Sequence, residues 1–146
     1  MDLANGRVLI TGATGGIGQA IARAFAARGA TVMLSGRRAD VLEPLATELS
    51  GRAISCDLAD RKQVERLVHQ AGEIDVLVAN AALPASGTLL ELSHEQIDRM
   101  LEVNLRAPVA LARAFAPAMV QQRRGHMVFV SSLAGKVASP SSSIYS

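Results

Sequence analysis

Short runs of β-branched and leucine residues alternate along the chain with longer Ala/Leu segments whose apolar positions recur at helical period. Strands are predicted at 7–11 (Arg-Val-Leu-Ile-Thr), 31–35 (Thr-Val-Met-Leu-Ser), 53–56, 74–79 (Ile-Asp-Val-Leu-Val-Ala) and 127–131 (Met-Val-Phe-Val-Ser). Helices are predicted between them at 16–28, 39–49, 60–71 and 93–123. In the first helix Ile17, Ile21 and Phe25 repeat at i, i+4 and i+8 and set one face, with Arg23 and Arg28 outside it and Gly29 placed to stop it. In the third, Asp60 is a cap, and Val64, Leu67, Val68 and Ala71 form the stripe to be buried. Pro108 and Pro117 should bend or divide the long last helix.

Strands that are apolar at nearly every position are buried on both faces, and strand–helix–strand repetition builds a parallel sheet. The expectation is one α/β domain over residues 1–146, Rossmann-type and doubly wound, with strand order 3-2-1-4-5. The Ser-rich stretch Ser139-Pro140-Ser141-Ser142-Ser143 reads as a flexible loop.

Composition narrows the function. The longest stretches free of Asp, Glu, Lys and Arg are Val8–Ala22 and Val76–Leu90, 15 residues each and interrupted by polar residues, too short for a spanning helix. The net charge is only +2, and of the arginines only Arg37-Arg38 and Arg123-Arg124 adjoin. With four aromatic residues in all, there is little to stack on bases, so nucleic acid is not an expected partner. His69, His94 and His126 show no metal-ligand spacing, and no metal is expected. Cys56 stands alone, and no apolar segment follows a basic start, so a reducing, cytoplasmic setting is the expectation. Next to Asp57, Cys56 reads as a small buried strand residue.

Chemistry enters at Thr11-Gly12-Ala13-Thr14-Gly15-Gly16-Ile17-Gly18, which follows the first strand directly and opens the first helix. Glycines permit the tight turn and bring backbone close to a pyrophosphate, whose charge the helix N-terminus stabilises. Gly12, Thr14, Gly16, Ile17 and Gly18 are therefore candidate cofactor contacts. No Gly-Lys-Ser/Thr follows, which argues against a nucleoside triphosphate. At the end of the second strand, Leu34-Ser35-Gly36-Arg37-Arg38 has Gly where an NAD site carries a ribose-binding acid. Arg37 can clamp a 2′-phosphate, so NADP is favoured over NAD.

With this turn the sequence resembles the short-chain dehydrogenase/reductase family, over the whole chain. Val130-Ser131-Ser132-Leu133-Ala134-Gly135 looks like that family's catalytic-serine segment, and Val103-Asn104-Leu105 like its helical Asn segment. Tyr145 stands 13 residues after Ser132, a step that matches the non-extended branch. The resemblance implies a carbonyl–alcohol interconversion by hydride transfer, with Tyr145 as proton donor or acceptor, Ser132 as anchor of the oxygen, and Asn104 supporting a proton relay through a bound water. It also implies Asp57 at the adenine amine with Leu58 against the ring, and homo-oligomers, dimer or tetramer, packed through the long helix.

Two departures are visible. Ala79-Asn80-Ala81-Ala82 keeps the middle pair of the family's Asn-Asn-Ala-Gly, so Asn80 can still brace the strand end and Ala81 lie beside the cofactor, while Ala82 narrows the room there. The family's Lys comes four residues after the Tyr, beyond Ser146, so the sequence reads as an N-terminal portion without the final strands, its fifth strand left as an apolar edge. A phenol of pKa about 10 works poorly near neutrality without such a cation. The alternative is a dinucleotide-binding module that never completes the reaction centre.

Overall fold

The computed structural model describes residues 3–84, 87–137, 144 and 145. Its strands are β1 (Arg7–Thr11), β2 (Thr31–Gly36), β3 (Arg52–Ser55), β4 (Val76–Ala79) and β5 (His126–Phe129). All neighbours pair in parallel, in the order β3-β2-β1-β4-β5. This is the order that the alternation of strands and helices predicted. The helices are α1 (Gly16–Ala26), α2 (Ala39–Glu48), α3 (Arg61–Ala71), α4 (His94–Leu101) and α5 (Ala107–Gln121).

Successive strand residues point to opposite faces, and both faces are covered over β1, β2 and β4, while β5 stays largely exposed. Leu9, Met33, Ile54 and Leu77 lie on one side, packed with Val64 and Leu67 of α3 and Leu111 and Phe115 of α5. Val8, Ile10, Val32, Leu34, Val76 and Val78 lie on the other, with Ala22 of α1 and Leu42 and Leu45 of α2. Leu9 and Leu77 are wholly buried, and truncating either to Ala costs roughly 2–5 kcal/mol.

Asp60 caps α3, its carboxylate accepting from the N–H groups of Lys62 and Gln63, as expected. Gly29 takes φ +78° just past α1 and closes that end. Ile17 departs from expectation. It is 64% exposed, and the buried side of α1 is made by Gly18 and Ala22 with Ile21 and Phe25 beside them. The sheet meets α1 through small residues, which brings the helix close and turns its first apolar side chain toward the cleft above. β4 begins two residues late because the Asp75 carboxylate accepts the Arg7 N–H at 2.8 Å, in place of a ladder carbonyl.

The long helix is divided once. Ser93 and Gln96 cap α4 reciprocally, each side chain accepting from the other's N–H. The chain then widens into a π-helical turn, Glu102–Arg106, before α5. Pro108 has no N–H to return to the carbonyl of Asn104, which gives the α-helical ladder a reason to break there. Pro117 does not divide α5, which continues through it to Gln121.

Candidate functional site

At the carboxyl edge of the sheet the chain leaves β1, turns through Gly12 to Gly15 and enters α1. Two of its glycines are demanded by the fold. Gly12 has φ +65°, and a Cβ there would sit 2.7 Å from Ala81 Cα. A Cβ on Gly18 would be driven into the Gly12 carbonyl oxygen and lie 2.8 Å from Ala13 Cα. Gly16 differs, since a Cβ would meet nothing within 4 Å. No side chain caps α1 and no acid lies in its first turn, so its first N–H groups face the cleft with their positive dipole uncompensated.

The cleft above this turn has a volume of about 470 Å³. Gly12, Thr14, Gly16, Ile17, Gly18, Arg37, Asp57, Leu58, Asn80 and Ala81 all line it, so every cofactor residue expected from the sequence comes to one place. Thr11 and Asn80 brace its middle. Thr11 Oγ1 accepts from the N–H groups of Asn80 (3.1 Å) and Ala81 (3.2 Å), and Asn80 Nδ2 donates to the carbonyls of Thr11 (3.1 Å) and Gly12 (3.2 Å). Four bonds thereby lock the ends of β1 and β4 together. Ser35 Oγ is a buried hydroxyl that finds no partner among the described residues, and Ser35 lines the same cleft.

The two arginines after β2 divide their roles. Arg38 donates to the Thr14 carbonyl at 2.6 Å, latching the start of α2 to the glycine turn. Arg37 makes no hydrogen bond or ion pair with any described residue. Opposite them Asp57 is held on every side. Its N–H donates to Gln63 Oε1 (2.9 Å), Oδ1 accepts from the Ala59 N–H (3.1 Å), and Oδ2 accepts from Arg99 Nη2 of α4 (2.8 Å). Partial burial pushes this carboxyl up, but the Arg99 bond, the Ala59 N–H and the charges of Arg99 and Arg37 hold it below the usual range. Next to it Cys56 is buried, as expected, and desolvation with the nearby Asp57 charge pushes its thiol up to about 11.

A second cavity of about 420 Å³ adjoins the first, sharing Ala81 and Ala82. Asn104, Ser132 and Tyr145 line it together, with Phe129, Pro108 and Met100 giving it an apolar wall. Ser132 Oγ accepts from the Ala134 N–H at 3.1 Å. The Asn104 side chain engages the Leu83 peptide through both amide atoms. The π turn presents it to the loop after β4, 21 residues back in sequence. The sequence reading did not find Arg38 as a latch, Thr11 as a hub, or Arg99 as the partner of Asp57. Each of these bonds joins residues at least 24 positions apart, and no local pattern marks them.

A five-stranded parallel sheet with helices on both faces and a glycine turn at its carboxyl edge is a Rossmann-type, doubly wound fold. The sequence profile of the family described as short chain dehydrogenase matches residues 6–146, and the chain belongs to that family. It is 37% identical over 156 residues to dehydrogenase/reductase SDR family member 7B of Bos taurus, an alignment that takes in 97% of this chain and 48% of that protein. Nodulation protein G of Rhizobium meliloti (strain 1021) is 38% identical over 150 residues, with 99% and 61% covered. The chain thus spans about half to three-fifths of the length of these relatives. Among solved structures, a metagenomic short-chain oxidoreductase in complex with NADP superposes with TM-score 0.90 at 37% identity, covering 99% of this chain and 70% of that one. A short-chain dehydrogenase from Sphingobium yanoikuyae in complex with NADPH gives 0.91 at 33%, covering 96% and 59%.

The residues present fit a dinucleotide. Gly16 leaves space that a Cβ would fill, and the cleft is lined by the Ser35 hydroxyl and the Arg37 cation, neither of which has a partner among the described residues.

Proposed function

We propose that the protein is an NADP(H)-preferring oxidoreductase that interconverts a small carbonyl compound and its secondary alcohol. The observation that carries this reading is the junction of the two cavities at Ala81 and Ala82, which sets a dinucleotide cleft against a pocket lined by Asn104, Ser132 and Tyr145. The glycine turn would hold the pyrophosphate, Asp57 and Leu58 the adenine, and Arg37 the 2′-phosphate. The dinucleotide supplies the hydride when bound. Ser132 Oγ would donate to the substrate oxygen, and the Tyr145 hydroxyl would pass it a proton during reduction or take one during oxidation. Asn104, spent on Leu83, would support the pocket by fixing the loop after β4. The apolar wall suits a hydrophobic carbonyl substrate.

No described helix is long and apolar enough to cross a membrane. We read the lone buried thiol as suited to a reducing, cytoplasmic setting, the assembly as a homo-oligomer through the α4–α5 face, and nucleic acid as no partner.

Titration of the protein with NADPH and NADH, followed by assay against a panel of aldehydes and ketones, tests the proposal. NADPH binding with turnover of at least one carbonyl is the expected result. Tight NADPH binding with no turnover across the panel would favour the binding module, and absence of binding would overturn both.

A further inference from the structure

Arg37 and Asp57 line the same cleft and carry opposite charges, yet they are not paired. Two carboxylate partners already in place account for this. Oδ1 of Asp57 accepts from the Ala59 N–H at 3.1 Å, and Oδ2 accepts from Arg99 Nη2 at 2.8 Å. Arg99 comes from α4, 42 residues away, and is only 40% exposed. Its helix is tied down again one turn on, where Glu102 of the π turn pairs with Arg61 at the start of α3. The guanidinium therefore reaches Asp57 from a fixed platform. Arg38, the other cation at the rim, is committed to the Thr14 carbonyl.

We infer that Arg99 is a positioning residue for cofactor choice: by satisfying Asp57 it keeps that carboxylate from capturing Arg37, and so leaves Arg37 available to a ribose 2′-phosphate. Without Arg99 the uncommitted cation among the described residues that line the cleft is Arg37, whose charge already acts on Asp57. An exposed arginine beside a half-buried carboxylate that has lost its partner forms the pair, because an unpaired acid there keeps its desolvation penalty. The pairing would remove the cation from the phosphate position and leave the rest of the cleft unchanged. The inference rests on the dinucleotide reading above.

The test measures Kd for NADPH and NADH by fluorescence titration of the intact protein. Wild type is expected to bind NADPH more tightly. In Arg99→Gln the NADPH/NADH preference should fall by about tenfold, chiefly through weaker NADPH binding. Arg99→Lys should keep most of the preference. Adding Asp57→Asn to Arg99→Gln should restore it, since no carboxylate is left to draw Arg37 away, even though Asp57→Asn weakens both cofactors. Equal weakening of both cofactors in Arg99→Gln, or no recovery in the double variant, would overturn the inference while leaving the dinucleotide reading intact. A wild type that binds dinucleotide without preferring NADPH overturns the inference and the cofactor assignment together, and one that binds neither removes the dinucleotide reading itself.

Discussion

Asn104 grips the peptide of Leu83 with both ends of its amide: Oδ1 accepts from the Leu83 N–H at 2.7 Å and Nδ2 donates to the Leu83 carbonyl at 2.9 Å. A π-helical turn and the loop after β4 are thereby joined where the two cavities meet. Asn104→Ala leaves a part-buried donor and acceptor unsatisfied and should cost about 1–3 kcal/mol in urea unfolding. Amide exchange at Leu83 should quicken far more than at Leu77 in the sheet. Equal protection at Leu83 in both proteins would show that the bond does not hold the loop.

Gly16 and Gly18 should behave oppositely when changed to Ala. Gly16→Ala meets no protein atom and should leave Tm nearly unchanged while weakening NADPH binding, because the added methyl enters the cleft. Gly18→Ala strikes the Gly12 carbonyl and should destabilise by about 1–3 kcal/mol. Thermal melts alongside NADPH titrations check both, and a Gly16→Ala variant that binds normally would argue against a ligand on this turn.

Arg37→Glu should reverse the charge at the cleft rim without touching the fold, since Arg37 bonds to no described residue. NADPH affinity should drop by about tenfold or more, with NADH affected less. An unchanged ratio of the two affinities would sink the assignment of Arg37 to the phosphate.

Asp75 makes stability pH-dependent. It is 2% exposed and accepts from the Arg7 N–H at 2.8 Å and from Arg124 Nη2 at 2.5 Å. Burial pushes its carboxyl up, but the Arg7 N–H, the Arg124 bond and the charges of Arg124 and Arg7 outweigh this and hold it below its ordinary value. Its stabilising effect is therefore present above the unfolded carboxylate pKa of about 4 and is lost as pH falls through the lower folded value. The urea midpoint should fall between about pH 5 and pH 3, and Asp75→Asn should flatten that slope. The same slope in the variant would assign the acid sensitivity to other carboxylates.

Cys56 should resist thiol reagents at pH 7.5, because burial and the neighbouring Asp57 and Asp60 charges raise it to about 11. Alkylation followed by intact mass should show no adduct on the folded protein and one after urea. Rapid labelling of the folded protein would mean that β3 and its loop open readily.

What the sequence by itself determined was whatever rests on neighbours along the chain. Apolar runs placed all five strands, because a parallel strand covered on both faces must be apolar along its length, as β1, β2 and β4 are; β5 carries the same apolar signature but is left largely exposed. The glycine turn was legible because its tight geometry and its ligand site are made by one run of residues, 12–18. Asp60 as a cap and Val64 and Leu67 as a buried stripe depended on similarly local rules, whereas Asn80 as a brace came from the family resemblance. Tertiary structure decided the rest. Ile17 has the helical spacing of a core residue, but small Gly18 and Ala22 bring α1 onto the sheet and leave Ile17 in the cleft. Pro108 marks where the helix over residues 93–123 is interrupted, but not that the interruption is a π turn at 102–106, since one extra residue per turn has no hydrophobic signature. Arg99 and Asp57, or Asn104 and Leu83, meet only because the sheet order brings α4 and the π turn over the ends of β3 and β4. Pairing across such distances depends on how the layers pack, and only the folded chain contains that information.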